Sequence, residues 1–444
     1  MAVYTPHTQD EILQMLNAIG VNSVEDLFAD IPSTLRPKSF DLPPGVTEHE
    51  ASAYFNALSR RNATGYVSFL GGGYYDHFIP AAVDAIASRS EFVTAYTPYQ
   101  PEASQGTLRA IFEYQSMIAA LTGLDFANAS LYDGGTALYE AIAMAVRSNG
   151  RRRVIVDAGV NPLFRRIVAT YAVNIDVEII ESDLKDIATD QKRIESFFDE
   201  AVSAVVVQDP NFFGSVDDYE SLFARAREKD IVGIHVFYPL SLGVLKTPGE
   251  MKADIAVGEG QSLGMPLSFG GPYLGLMAVD RKYVRKMPGR IVGETADRNG
   301  MKAYVLTLQA REQHIRREKA SSNICSNQAL CALRAVVYLS LLGKEGFRKA
   351  AIISMERAEY LRHSMKKIRG VEVLKGRTFN EFTVALPGPA IDFARAMLAE
   401  GFAAGVPASL FYPDRPDQLV VAATEKISID DIDRYTSAAK KVLS

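Results

Sequence analysis

The sequence predicts an α/β protein built on a mostly parallel β-sheet that is covered by helices. Short apolar runs alternate with helical patterns through the middle of the chain, at 154–157, 177–180, 204–208, 231–236, 254–257 and 274–279. These runs are nearly continuous in apolar residues, as strands buried on both faces must be. Segments such as 219–229 supply the helices between them.

The residues before the sheet are predicted to form a separate helical extension, residues 1–60. Thr8 with Glu11, and Thr47 with Glu50, have the spacing of a capping box ahead of apolar periodicity. A proline-containing stretch at 31–44 separates the two predicted helices. The sheet region that follows is predicted to be a large domain, residues 61–330.

The pattern changes after about residue 300. Long charged helices are predicted at 310–320 and 343–368. They are followed by further short elements, namely strands at 371–374 and 381–385, a helix at 390–400, a strand at 418–423 and a helix at 428–443. This order predicts a smaller C-terminal α/β domain, residues 331–444.

The composition is that of a globular chain. Of 444 residues, 48% are apolar and 23% are charged, which excludes disordered, collagen-like and coiled-coil classes. The net charge of −5, without a long basic run, argues against nucleic-acid and membrane partners, so we expect small molecules or proteins. No leader pattern and no apolar stretch of about 18 residues is found, which predicts a cytoplasmic protein. The two cysteines and six histidines lack ligand spacing, so no metal site is predicted.

A glycine-rich helix start is the first candidate site. The residues Asp133, Gly134, Gly135 and Thr136 stand directly before an amphipathic stretch at 137–146. Glycines at a helix start let backbone N–H groups approach an anion, and the helix dipole and a threonine hydroxyl favour the anion further. One interpretation of residues 133–136 is a phosphate cup, the name used below. The other is an N-cap and turn that lead into a core helix.

Two loops are rich in tyrosine. Residues 96–102, the tyrosine loop, read Tyr-Thr-Pro-Tyr-Gln-Pro-Glu and cannot be helical, because each proline disfavours helical conformation in the residue before it. Such a loop suits the wall of a site over a planar ligand, or else buried tyrosines at a helix entry. Residues 71–75, the glycine turn, read Gly-Gly-Gly-Tyr-Tyr and do not match a dinucleotide-binding fingerprint.

Residues 311–319 form a basic segment with four basic and two acidic residues. Usually such a segment is a solvated helix face. The alternative is a patch that orders a loop or receives an acidic partner.

Several long motifs, in order, resemble one known family. They are the tyrosine loop with Ser104-Gln-Gly106, Asn128-Ala-Ser-Leu131 before the phosphate cup, Gln208-Asp-Pro-Asn-Phe-Phe-Gly214, Gly258-Glu-Gly-Gln-Ser-Leu-Gly264, and Leu306 to Cys325. Together they resemble the glycine decarboxylase (P-protein) of the glycine cleavage system, from about residue 45 to 335. The length is similar to the amino-terminal half alone, which is subunit 1 of the split, heterotetrameric enzyme. The resemblance implies a fold-type-I pyridoxal-phosphate (PLP) architecture.

Two groups that PLP needs are missing from the matching positions. The cofactor requires a lysine that forms a Schiff base and an acid at its pyridine nitrogen. Alignment on the turn Gly270-Gly-Pro272 places the lysine position at Gln261 or Ser262, and the acid falls near His235. Lys246 and Lys252 lie nearby in sequence but are expected in solvated loops.

The resemblance therefore implies a subunit of glycine dehydrogenase (aminomethyl-transferring), active only with subunit 2. PLP is then held by the partner subunit, and the pair decarboxylates glycine and passes the aminomethyl group to lipoylated H-protein. This chain is expected to place Tyr96 and Tyr99 as an interface wall over the partner's cofactor. Thr97, Pro98 and Ser104, and the glycine turn, are expected beside them.

The phosphate cup is then expected to survive only as a vestige, through Gly134, Gly135 and Thr136. Arg311, Arg316 and Arg317 are expected to orient the wall or to meet the acidic lipoyl carrier. Two alternatives remain open on the sequence: a self-sufficient PLP lyase or aminotransferase, and a scaffold paralogue that never touches substrate. The missing lysine argues against the first, and the tyrosine loop against the second.

Overall fold

The computed structural model describes residues 7–39 and 41–444, and it separates into two units between Gly65 and Tyr66. In the first unit, helices α1 (Gln9–Ile19) and α2 (Glu48–Ser59) flank two short 3₁₀ turns. Both predicted capping boxes are confirmed, because the Thr8 and Thr47 hydroxyls accept from the backbone N–H groups of Glu11 and Glu50.

The second unit contains the sheets. Its strands are β1 Val67–Ser68, β2 Phe126–Ala127, β3 Arg153–Asp157, β4 Glu178–Ser182, β5 Leu184–Lys185, β6 Ala188–Thr189, β7 Val202–Asp209, β8 Val232–Phe237, β9 Ile255–Glu259, β10 Gly275–Val279, β11 Ile291–Ala296, β12 Lys302–Thr307, β13 Glu372–Val373, β14 Glu381–Ala385, β15 Phe402–Ala403, β16 Val406–Pro407 and β17 Gln418–Ala422. Its helices are α3 Ala81–Ala87, α4 Ser90–Val93, α5 Gln105–Thr122, α6 Gly134–Asn149, α7 Pro162–Ala172, α8 Gln191–Glu195, α9 Glu220–Glu228, α10 Gln313–Arg316, α11 Ala329–Met365, α12 Ala390–Ala399 and α13 Ile429–Val442.

The main sheet has seven strands in the order β2-β10-β9-β8-β7-β3-β4. Strands β9, β8, β7, β3 and β4 run parallel, whereas β10 is antiparallel to both β9 and β2. The predicted mostly parallel sheet is confirmed. Alternate residues pack on opposite faces: Val154 and Val156 pack with Leu138 of α6, and Ile155 packs with Phe223 of α9.

The smaller sheet, β13-β14-β17-β16, is antiparallel and packs against α12 and α13. The sequence predicted its elements except the short strand β16. Helix α11 links this core to the main sheet: Tyr338 packs beside Leu263, and Leu361 packs beside Phe382. The domain boundary at 330 stays a prediction.

Two predicted helices differ in the structure. The helix expected at 343–368 begins earlier, at Ala329, and bends at Gly343, whose φ of 56° is open mainly to glycine. The helix expected at 310–320 is wrong, because the segment consists of three short turns. Its chain is extended at Glu312 and left-handed at Arg317, with φ of 54°. Among the described residues, no helix is long and apolar enough to cross a membrane.

Candidate functional site

The tyrosine loop is irregular up to a single 3₁₀ turn at Pro101–Ala103, as predicted. Tyr96 is 82% exposed and Tyr99 is 50% exposed, so both present apolar ring surface to the outside. Pro98 is buried beneath them, and Thr97 accepts a backbone hydrogen bond of 2.9 Å from Tyr99. The loop is therefore anchored from below while its aromatic rings face outward.

The inner side of Tyr99 contacts a buried arginine. Its hydroxyl lies 3.2 Å from Nη2 of Arg290, whose guanidinium also donates to the carbonyl of Cys325 at 2.7 Å. Cys325 in turn donates its backbone N–H to the hydroxyl of Tyr132, next to the phosphate cup. Ser104 is half-buried at the start of α5, where its carbonyl accepts from Leu108.

The phosphate cup forms the start of α6. Asp133 is the N-cap and accepts from the backbone N–H of Thr136 at 2.9 Å, and the Thr136 hydroxyl bonds back to the backbone of Asp133. The glycines admit close packing, since a Cβ on Gly134 would lie 2.6 Å from a ring atom of Phe164. A Cβ on Gly135 would meet Ile167 at 2.4 Å. Of the residues proposed to hold an anion, Thr136 is thus already hydrogen-bonded within the chain, and Gly134 and Gly135 are closely packed.

A carboxylate from the main sheet lies at the cup. Oε2 of Glu259, at the end of β9, accepts the backbone N–H of Gly134 at 2.9 Å. Its Oε1 accepts the backbone N–H groups of Gln261 at 3.0 Å and Leu274 at 3.1 Å. Burial raises the pKa of Glu259 to about 8, and the three N–H donors only partly offset that rise.

Gln261, one of the two candidate lysine positions, is 1% exposed and is fully bonded. Its amide oxygen accepts from the backbone N–H of Tyr75 at 3.0 Å, and its amide nitrogen donates to the carbonyls of Tyr75 and Met265 at 3.1 and 2.8 Å. The side chain therefore holds the glycine turn in place. The other side of that turn is held by Glu381, which accepts from Gly72 at 2.6 Å and from the Tyr75 hydroxyl at 2.8 Å.

His235, at the position expected for the acid, is fully buried in β8. Within the described part of the chain neither ring nitrogen has a hydrogen-bond partner, and the ring packs against Tyr219 and Phe223. Burial lowers the pKa of His235 to about 3, so the ring is neutral at physiological pH. A neutral imidazole provides no negative charge for a protonated pyridine.

The two lysines nearby in sequence lie on the surface, as expected. Lys246 pairs with Asp218 at 2.6 Å, and Lys252 pairs with Glu220 at 2.7 Å. Both side chains are about half exposed. Neither contacts the phosphate cup.

The basic segment is mixed. Arg311 is partly buried and donates to the carbonyl of Met287, whereas Arg316 and Arg317 are exposed. Arg316 bonds the carbonyl of Ala310 at 3.1 Å. The role of the basic segment toward an acidic carrier stays a proposal.

Sequence reasoning missed Glu259, Arg290 and Glu312. The clearest available signal was for Glu259, because an acid within the buried run that ends β9 requires hydrogen-bond donors. Arg290 likewise stands between a Pro-Gly turn and an apolar strand. Gly134, which donates to Glu259, and Tyr99, which bonds Arg290, are far away from them in sequence and gave no signal.

The fold is that of the fold-type-I PLP-dependent enzymes. Even a distant structure, sphingosine-1-phosphate lyase from Burkholderia pseudomallei, shares the fold over 94% of this chain and 93% of its own, with a TM-score of 0.68 at 16% identity. The chain belongs to the glycine cleavage system P-protein family, whose model matches residues 2–438.

Two relatives within the family are similar over nearly their whole length. Probable glycine dehydrogenase (decarboxylating) subunit 1 of Nitratidesulfovibrio vulgaris strain Hildenborough is 52% identical over 430 residues, or 97% of each chain. The crystal structure of glycine decarboxylase (P-protein) of the glycine cleavage system, in inhibitor-bound form, matches 100% of both chains with a TM-score of 0.94 and 43% identity.

At the positions that the family resemblance assigns to PLP, the residues of this chain do not fit the cofactor. Gln261 and Ser262 cannot form a Schiff base, and His235 is neutral. The carboxyl group of Glu259 takes the N–H donor of Gly134 that a phosphate would need. A phosphate could reach that donor only by displacing the Glu259 carboxyl group.

Proposed function

We propose that this chain is subunit 1 of a split glycine dehydrogenase (aminomethyl-transferring) and is active only with subunit 2. The pair decarboxylates glycine and transfers the aminomethyl group to lipoylated H-protein. Family membership over residues 2–438 supports this, as does the end-to-end match to a relative named subunit 1. A cytoplasmic location is part of the proposal.

PLP belongs to the partner subunit in this account. The observation that carries this point is the Glu259 carboxyl group at the phosphate cup, bonded to Gly134 at 2.9 Å. The amide of Gln261 supports it, because both its atoms are used to hold Tyr75. An equivalent site in the partner, with lysine and acid present, is the place for the cofactor.

The contribution of this chain is a wall over the partner's site. Tyr96 and Tyr99 are exposed on a loop that Pro98 anchors, and Ser104 and Thr97 lie beside them. A rigid aromatic wall excludes water and restricts the orientations of a small substrate such as glycine, and both effects favour decarboxylation. The division into a large domain, 61–330, and a small domain, 331–444, and the docking of H-protein near Arg316 and Arg317, complete the proposal.

Glycine turnover by the reconstituted pair tests this function. Losing a hydroxyl that serves a buried partner costs about 1–3 kcal/mol, and about 1.4 kcal/mol is one decade in rate. We therefore expect Tyr96→Phe and Tyr99→Phe each to lower turnover roughly tenfold or more. Tyr171→Phe is the matched control, since Tyr171 is 45% exposed on α7 and its hydroxyl makes no hydrogen bond among the described residues.

Assembly should stay unchanged in all three variants, and so should PLP content at saturating PLP, because each variant keeps its ring and packing. If both loop variants assemble and turn over glycine like the parent, the wall is wrong and the chain is a scaffold.

A further inference from the structure

Arg290 is a charged side chain buried behind the tyrosine loop. The residue is 3% exposed, and its backbone carbonyl accepts from Ala129 at 2.8 Å, which fixes the start of the side chain. A buried guanidinium is stabilised only where hydrogen bonds and counter-charges replace water. The groups that bond the Arg290 guanidinium therefore indicate the role of this buried charge.

Those partners hold the guanidinium in one orientation toward Tyr99. Nη1 donates to the side chain of Asn327 at 3.3 Å, and Nη2 donates to the carbonyl of Cys325 at 2.7 Å. The carboxylate of Glu312 lies 3.9 Å from Nε. The guanidinium carbon is 5.5 Å from the centre of the Tyr99 ring, and Nη2 reaches the Tyr99 hydroxyl at 3.2 Å.

The contact with Arg290 fixes the donor and acceptor roles of the Tyr99 hydroxyl. A guanidinium has donors and no acceptor, so the phenol oxygen must accept from Arg290. The phenol keeps its own proton for another acceptor. Among residues 7–39 and 41–444 no group accepts that proton, and the residue is half exposed.

The local charge favours an anion as that acceptor. Two guanidinium groups, Arg290 and Arg311, stand against one buried carboxylate, Glu312. Within the described residues, Nε of Arg290 and both Nε and Nη2 of Arg311 are buried without a hydrogen-bond partner, as is Oε1 of Glu312. A positive excess behind the phenol strengthens its donation to an anionic oxygen.

We propose that Arg290 is a positioning residue that holds the Tyr99 hydroxyl as a hydrogen-bond donor to an anionic oxygen across the subunit interface. This rests on the proposed function, which places Tyr99 at the partner's site. The acceptor is either the carboxylate of the amino-acid substrate or an oxygen of the partner's cofactor. Arg290 itself touches neither.

The test uses the reconstituted pair loaded with PLP and three variants: Tyr99→Phe, Arg290→Lys and the double variant. Dissociation constants for glycine and for methylamine, which lacks the carboxylate, are read from the cofactor absorbance, and PLP affinity is measured separately. Arg290→Gln is used if the lysine variant does not assemble. Arg395→Lys, an exposed arginine paired with Asp392 on α12, is the control.

For a substrate carboxylate, both single variants should weaken glycine binding roughly tenfold and leave methylamine binding within about twofold. For a cofactor oxygen, both should instead weaken PLP affinity by a similar factor. In either case the double variant should be no worse than Tyr99→Phe alone, because Arg290 acts through that hydroxyl.

Three results would overturn the inference. An Arg290 variant that binds glycine and PLP like the parent, while Tyr99→Phe does not, refutes the positioning role and leaves the proposed function standing. If the Arg290 change lowers the affinity for glycine or PLP equally with and without the Tyr99 hydroxyl, Arg290 acts independently of that hydroxyl. If Tyr99→Phe changes nothing, the inference fails, and so does the role of Tyr99 in the wall of the proposed function.

Discussion

Replacing Glu259 by Gln should change how the stability of this chain depends on pH. Burial raises the pKa of Glu259 from 4.5 to about 8 in the folded chain. Between these values the folded chain holds a proton that the unfolded chain has lost, so folding becomes less favourable as pH rises. Below pH 4.5 and above pH 8 this group adds no slope.

The magnitude follows from the size of the shift. Each pKa unit corresponds to about 1.4 kcal/mol, so the full interval corresponds to on the order of 5 kcal/mol of unfolding free energy. Glu381, Asp157 and Asp209, each with a pKa raised to about 7 by burial, add slopes of the same sign. The difference between parent and variant removes their contribution and isolates Glu259.

Urea denaturation followed by circular dichroism at pH 5, 6, 7 and 8 measures this difference. Relative to the parent, the unfolding free energy of Glu259→Gln should rise by about 1 kcal/mol or more with each pH unit. Glu113→Gln, at an exposed carboxylate paired with Arg109, is the matched control. A constant difference for Glu259→Gln would refute the reasoning, since it would mean that Glu259 ionises normally in the fold.

Two further substitutions test the neighbouring contacts. Gln261→Lys should produce no glycine turnover by this chain alone, because it supplies no acid at the His235 position and removes the amide that holds the glycine turn; measurable turnover would show a more complete site. Gly71→Ala should lower the unfolding free energy by about 1–3 kcal/mol in the same urea assay, because the new Cβ would lie 2.0 Å from Oε1 of Glu381. Gly388→Ala, with nothing within 4 Å, is the control, and equal stability of the two variants would contradict the close approach.

The fold followed from local signals in the sequence. Continuous apolar runs predicted the buried strands, and the capping boxes at Thr8 and Thr47 predicted helix starts, because both depend on residues close together in the chain. The helix expected at 310–320 failed because burial of Glu312 and its contacts with distant residues overrode helical spacing. Tertiary contacts outweigh a weak local preference.

The site was only partly predictable for the same reason. The positions that the motif alignment assigns to the lysine and the acid hold neutral, buried side chains, and the assignment itself stays a prediction. The Glu259 contact joins residues 125 apart in sequence, and the Arg290 contact with Tyr99 joins residues 191 apart. Neither pairing has a sequence pattern, so only the folded chain places these groups together.

Borohydride reduction of the reconstituted pair, purified with its bound PLP, tests the central claim most directly. Reduction fixes the cofactor to the lysine that holds it, and peptide mapping identifies that lysine. We predict that all stoichiometric label lies on the partner subunit and none on this chain. A stoichiometric label on Lys246, Lys252 or any other lysine of this chain would contradict it.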